Sequence, residues 1–240
     1  MEMPAFANSH FARAPRFPAV ELPAQADYLN YLNTQADMLE RRALYEQGMG
    51  SVEAEITQAG TCAPCLRPAR FTSATAGCKL AGNGKRVPHW PQAMRCDCEA
   101  GLTGRQRAML HFVQANGLLA WSRVKLFGPP DAIDARIAAL AGMASHGAGG
   151  GFHLAVGALQ SPLQAGEELT TLAEALVPGG RLLFMAAFDP AAMHTSHRQF
   201  GWDLLATMRE AGFRGATAYL YWSEELGYLG GENWVFRGIK

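Results

Sequence analysis

Two pairs of cysteines carry the clearest chemistry in the sequence. Cys62-x-x-Cys65 and Cys96-x-Cys98 each offer two thiolates from a short turn, and four sulfurs placed tetrahedrally are what a structural zinc ion takes. A closed set of four thiolates leaves no coordination position open, so such an ion would hold the fold and take no part in a reaction. Cys78 stands apart and reads as a small buried residue or a bare thiol, while His89 can replace one sulfur if the Cys-x-Cys turn cannot present both. The competing reading is a set of reduced, unliganded cysteines. An odd number of them, clustered between positions 62 and 98, suits a reducing compartment better than a disulfide framework.

Other residue types suggest acid–base or binding roles. His194 and His197, with Asp189 and Arg198 nearby, follow the strand-like run "RLLFMAAF", at the sheet end where α/β proteins build their sites. A histidine there can act as a general base, although most loop histidines are solvated and idle. Arg105 and Arg107 suit either a phosphate-bearing substrate or a bracing contact with acids and carbonyls of a neighbouring element. Asp131 and Asp134 suit either a ribose contact or the positive end of their own helix. Tyr219, Tyr221 and Trp222 either line a pocket or simply pack as a strand.

The elements that must position these groups can be read from pattern. With 240 residues, 49% of them hydrophobic, the chain can bury a real core. Its formal net charge is zero, which gives no electrostatic footprint for a nucleic-acid partner. No apolar run reaches the roughly 20 residues of a membrane span, and the first residues lack the apolar core of a signal peptide, so no membrane partner and a cytoplasmic location are expected. Four regions follow: an extended arm over 1–24, a helical segment over 25–60, a zinc-binding module over 61–101 and an α/β domain over 102–240. In the second, Tyr28, Leu32, Ala36, Leu39 and Ala43 recur at helical spacing up to the breaker Gly48-Met49-Gly50, which predicts one long amphipathic helix. In the fourth, Thr103 caps a helix whose Ala108, Met109, Phe112 and Val113 form the buried stripe. Strand-like and helical runs then alternate, predicting a mostly parallel sheet with "ATAYLYWS" and "NWVFRGIK" as an antiparallel hairpin at its edge.

The segments "CAPC", "HWPQAMRCDC" and "GLTGRQRA" resemble the N-terminal cysteine module of a family of bacterial class I methyltransferase-domain proteins, with Trp90, Arg95, Gly101, Leu102, Arg105 and Arg107 at the matching places. The resemblance resumes at "FHLAVGALQSP", "LAEALVPGGRLLF", "GWDLLATMREAGF" and "YWSEELGYLGGENWVF". It implies a Rossmann-like sheet, S-adenosylmethionine as cofactor, and a cofactor site at the strand ends near Phe127, Gly128, Asp131 and Gly157.

One count opposes that implication. Between the strand ending near Phe127 and "FHLAV", which resembles the family's fourth strand, lie the 24 residues from 128 to 151, where two strands with their helices would need about 40 to 50. One helix and a loop fit there, and little more. Gly128-Pro129-Pro130-Asp131 also stands where a glycine-rich cradle is expected, and proline removes backbone donors. The expected fold is therefore a reduced, class I methyltransferase-like sheet. Two functions follow: a degenerate, non-catalytic subunit or scaffold with structural zinc, docking on a protein partner or on a second copy of itself, or an active methyltransferase for a small-molecule substrate with an unconventional cofactor site.

Overall fold

The computed structural model describes residues 15–53, 55–75, 78–80, 84–98, 101–147, 149–231 and 233–240; most of the expected arm, residues 1–14, lies outside them. The described residues begin with β1 (Ala19–Leu22), α1 (Gln25–Thr34) and α2 (Ala36–Met49), then build the cysteine module from β2 (Glu55–Cys62), β3 (Arg67–Ala74), β4 (Lys79–Leu80), β5 (Arg86–Val87), α3 (Trp90–Ala93) and β6 (Arg95–Cys96). The remainder is α4 (Gly104–Ala115), β7 (Arg123–Phe127), α5 (Asp134–Leu140), β8 (Met143–Ser145), β9 (Phe152–Leu159), α6 (Ala165–Ala175), β10 (Leu176–Ala186), α7 (Leu204–Glu210), β11 (Gly215–Tyr221) and β12 (Trp234–Ile239).

Among the described residues, the central sheet has seven strands in the order β1-β11-β12-β10-β9-β7-β8. β8, β7, β9 and β10 run parallel, and β12, β11 and β1 continue the sheet antiparallel. Period-2 alternation along β10 splits the core into two layers. Leu182 and Phe184 join α6, α7 and α1 on one face, whereas Leu183 and Met185 join α4 on the other. On α6, Leu169 and Leu172 are fully buried, each contributing about 1.5–3 kcal/mol of apolar burial. The expected class, an α/β sheet with a small cysteine-rich sheet module, is the observed one.

Four expectations are corrected. The single long helix is two, because "LNYLNTQ" offers asparagine and threonine whose side chains compete for backbone groups: Thr34 Oγ1 donates to Asn30 O at 2.8 Å, and Gln35 leaves helical geometry. The helical segment does not run to residue 60, since β2 starts at Glu55. The β11–β12 hairpin is not at the edge, because β1, from the expected arm, pairs with β11 through Ala19↔Tyr221 to Leu22↔Ala218. The 24-residue interval holds more than a helix and a loop: β8 pairs with β7 over Arg123↔Met143 to Lys125↔Ser145. It is one strand of three residues, and it forms the sheet edge.

Gly157 and Gly128 permit the close approach of β7 and β9. A Cβ at Gly157 would stand 2.1 Å from Phe127 O, and one at Gly128, whose φ is 75°, would stand 2.5 Å from Ala158 O. Both obstacles are backbone and cannot swing aside. Gly157→Ala is therefore expected to cost about 1–3 kcal/mol by forcing the strands apart, read as a lower urea midpoint with an unchanged slope.

The N-terminal strap is held by a buried histidine. Phe17 packs edge-on against His111, whose Nε2 lies 2.6 Å from Pro15 O and whose Nδ1 lies 3.2 Å from Tyr228 Oη. The carbonyl can only accept, so Nε2 carries the proton; burial favours the neutral imidazole, whose Nδ1 then accepts from the Tyr228 hydroxyl, a group that also lies 3.4 Å from Arg107 O. Burial lowers the His111 pKa, against a smaller raising effect of the Pro15 carbonyl. The unfolded chain thus takes up a proton near pH 6.5 that the folded chain refuses, and stability is complete above that value and falls as pH drops below it. Denaturation midpoints at pH 7.5 and 5.5 are expected to differ in the wild type, and the difference is expected to shrink in His111→Asn.

Candidate functional site

The first candidate site is the cysteine cluster. Cys62 closes β2, and Cys65 lies on the 3-10 turn Ala63–Cys65, which ends with Leu66 in the left-handed region at φ 52°. Cys96 closes β6, which pairs with β3 through Phe71↔Cys96, and Cys98 follows on the next turn, where Gly101 N donates to Cys98 O at 2.8 Å. The Sγ atoms of Cys62, Cys65 and Cys98 all lie within 4.8 Å of one another. Sulfurs on a tetrahedral zinc ion, each about 2.3 Å from the metal, stand about 3.8 Å apart, so small side-chain rotations close this set on an ion.

Cys96 is outside that group of three but buried beside it, and its sulfur accepts from Cys98 N at 3.4 Å. Burial pushes the Cys62 and Cys96 thiols up, so a bound cation would have to displace their protons. The donor set, three soft sulfurs with a fourth adjacent, fits zinc. Cys78 is remote in role, its Sγ lying 3.5 Å from Ala74 O. His89 is exposed and is not among the three grouped ligand atoms.

Arg107 ties this module to the sheet. Its side chain is fully buried, Nη1 donating to Met94 O (2.9 Å) and Leu102 O (3.0 Å) and Nη2 to Gly227 O (3.0 Å). The guanidinium lies 4.1 Å over the Phe71 ring. Of the two roles considered for Arg107, bracing is the one the geometry matches.

The second candidate site is a crevice at the carboxyl ends of the parallel strands. After β7 the chain goes first to β8 on one side and then to β9 on the other, so the strand order reverses between β7 and β9. Such a reversal leaves a crevice where ligands of open α/β sheets bind. Here a cavity of about 360 Å³ is lined by Phe127, Asp131 and Gly157 of the expected cofactor set, together with Arg105, Met109 and Met185. Gly128 is one residue from its wall and serves the strand approach described above.

The acids at the rim are engaged. Asp131 Oδ1 accepts from Gln106 Nε2 at 2.8 Å and from Ile133 N, and Asp134 Oδ2 accepts from Asp131 N and lies 3.0 Å from His146 Nε2. Asp131 precedes α5 rather than sitting in its first turn, which Asp134 occupies. Gln106 is also half of a capping box with Thr103 on α4, so the first turn of α4 is held rigid against the cavity.

His194 and His197 are both exposed, and neither lines this cavity or the smaller one described below. His194 Nδ1 lies 3.6 Å from Asp203 Oδ2, and Asp203 is itself engaged by Thr195 N. Tyr221 lines the smaller cavity, Tyr219 packs against Phe112, and Trp222 Nε1 donates to Glu46 Oε1 at 2.7 Å. Sequence reasoning missed Glu46, which also accepts from Gly230 N at 2.7 Å and so fastens α2 to the loop before β12. A lone acid on an otherwise solvated helix gives no signal in the sequence.

A scan against protein-family models gives no match, and neither does a comparison with curated protein sequences. Comparison with solved structures finds a likeness to S-adenosylmethionine-dependent methyltransferase SibL in its apo form, with 18% identity and a TM-score of 0.36. It covers 56% of this chain and 47% of that one, so the matched part spans less than half of SibL. Among the described residues, no helix is long and apolar enough to cross a membrane.

Proposed function

We propose that this chain is a reduced methyltransferase-like protein in which Cys62, Cys65, Cys96 and Cys98 hold a structural zinc ion and no methyl transfer takes place. One observation carries this reading: the sheet ends at the three-residue β8, and the residue that follows it is His146, already engaged with Asp134. An adenosine moiety needs a shelf beyond the second strand and a free carboxylate for its ribose hydroxyls. Pro129 and Pro130 after β7 supply no backbone donors in place of a glycine-rich turn. Docking on a protein partner or a second copy would then fall to the α1–α2 face, where Leu29 and Leu44 are exposed.

A specific observation favours a second reading, an active S-adenosylmethionine-dependent enzyme acting on a small molecule. The crevice at the strand reversal is retained at about 360 Å³, with Phe127, Asp131 and Gly157 in its wall. Calorimetric titration of the zinc-loaded chain with S-adenosylmethionine and S-adenosylhomocysteine separates the two. The first reading predicts no heat of binding, and micromolar binding would establish the second.

A further inference from the structure

Beside the crevice lies a smaller cavity, about 170 Å³, over the ends of β10, β11 and β12; Gln92 and Arg105 line both. We propose that this smaller cavity binds a small planar organic anion, an aromatic carboxylate in the simplest case, with Arg105 as its charge partner. The proposal is independent of whether S-adenosylmethionine binds in the larger crevice.

Charge is the first argument. Arg105 is half-buried in the first turn of α4, its Nε donates to Met185 Sδ at 3.0 Å, and among the described residues no carboxylate pairs with it. A guanidinium carries five N–H donors in a planar fork that matches a carboxylate, so most of its donor capacity remains to be used. No Asp or Glu lines the smaller cavity, whereas the larger one has Asp131 and Asp134 in its wall. An anion therefore meets a positive charge in the smaller cavity without an opposing carboxylate.

Shape is the second argument. Phe188, Tyr221 and Trp234, all buried, supply the aromatic part of a lining that otherwise includes the polar side chains of His89, Gln92 and Gln199. A cavity of about 150 Å³ accepts one benzene-sized ring, so about 170 Å³ suits a single ring with a small head group. An aromatic patch and a guanidinium together suit a flat body with an acceptor-only head.

The test is calorimetric titration of the zinc-loaded full chain with benzoate, with its neutral isostere benzamide, and with phenyl phosphate. Benzoate is expected to bind at least about tenfold more tightly than benzamide. Arg105→Gln is expected to weaken benzoate by at least about tenfold, with partial recovery in Arg105→Lys. Preference for phenyl phosphate over benzoate, lost in Arg105→Gln, supports the anion site with a phosphate head. Equal binding of benzoate and benzamide, an unchanged affinity in Arg105→Gln, or no binding of either anion up to about 10 mM overturns the proposal. The wild-type comparison decides the matter even where a variant fails to fold.

Discussion

Replacing Arg107 by methionine is expected to lower the stability of the whole chain by about 3–5 kcal/mol, a fall in melting temperature of about 6–20 °C. The guanidinium is fully buried and donates to carbonyls of three separate segments, Met94 and Leu102 of the cysteine module and its exit, and Gly227 of the loop before β12. Methionine fills much of the volume but takes the side-chain donor from the Met94 and Gly227 carbonyls, while Leu102 O keeps its bond from Cys96 N, at about 1–3 kcal/mol for each group left unsatisfied. The loss is partly offset by relief of burying the charge, which lowers the Arg107 pKa, and by removal of the unpartnered Nε. Arg107→Lys is expected to fall nearly as far, because one ammonium cannot span oxygens arranged for a planar fork. Thermal melting followed by circular dichroism checks both. A loss below about 1 kcal/mol in either variant would mean that module and sheet are held together by something other than this residue.

Loss of the proposed zinc ion is the second large expected effect. The purified chain is expected to contain about one zinc ion, and Cys62→Ser or Cys98→Ser to abolish it, whereas Cys78→Ser leaves it unchanged. Cys62 and Cys98 are buried within the sulfur group, and the module they close packs Phe71 and Leu229 around it. Structural zinc sites contribute free energy on the order of 10 kcal/mol in isolated fingers; even half of that corresponds to a melting shift of about 10–20 °C here. Elemental analysis alongside melting with and without a chelator gives the comparison. Cys96→Ser distinguishes a four-sulfur set, which it would weaken sharply, from a three-sulfur set, which it would leave loaded.

The sheet domain was legible because its signals are strong and local. "RLLFMAAF" and "FHLAVGAL" are continuous apolar runs, as buried parallel strands must be, and Thr103 announces a helix start, which the capping box with Gln106 realises. The module was harder to read. β2 alternates in burial from Glu55 to Gln58, yet its inward positions include Gln58, and β3 turns Ser73 inward, so neither strand shows an apolar stripe. Gln58 is tolerated there because its Nε2 donates to Glu224 O at 2.6 Å, a partner 166 residues away that no local pattern can reveal.

The candidate site divides in the same way. Of the four cysteines picked out by spacing, the fold brings Cys62, Cys65 and Cys98 within 4.8 Å of one another, since two short turns can converge in only a few ways, and Cys96 is outside that group. The expectation that residues 128–151 hold one helix and a loop and little more fell short by one strand, because β8 needs only three residues to extend an edge. The loop histidines were chosen for their residue type and place in the chain, but whether they face a cavity depends on a loop path that periodicity does not encode. Arg105 was noted for its charge; that it stands between two cavities with no acidic partner among the described residues emerges only in three dimensions.

The central claim is that a three-residue edge strand leaves no seat for adenosine. Thermal melting of the zinc-loaded chain with and without about 1 mM S-adenosylhomocysteine tests it most directly, since a ligand at about 100 times its dissociation constant adds about 2.7 kcal/mol, or about 5–10 °C. The account predicts superimposable curves. A concentration-dependent rise of several degrees would contradict it.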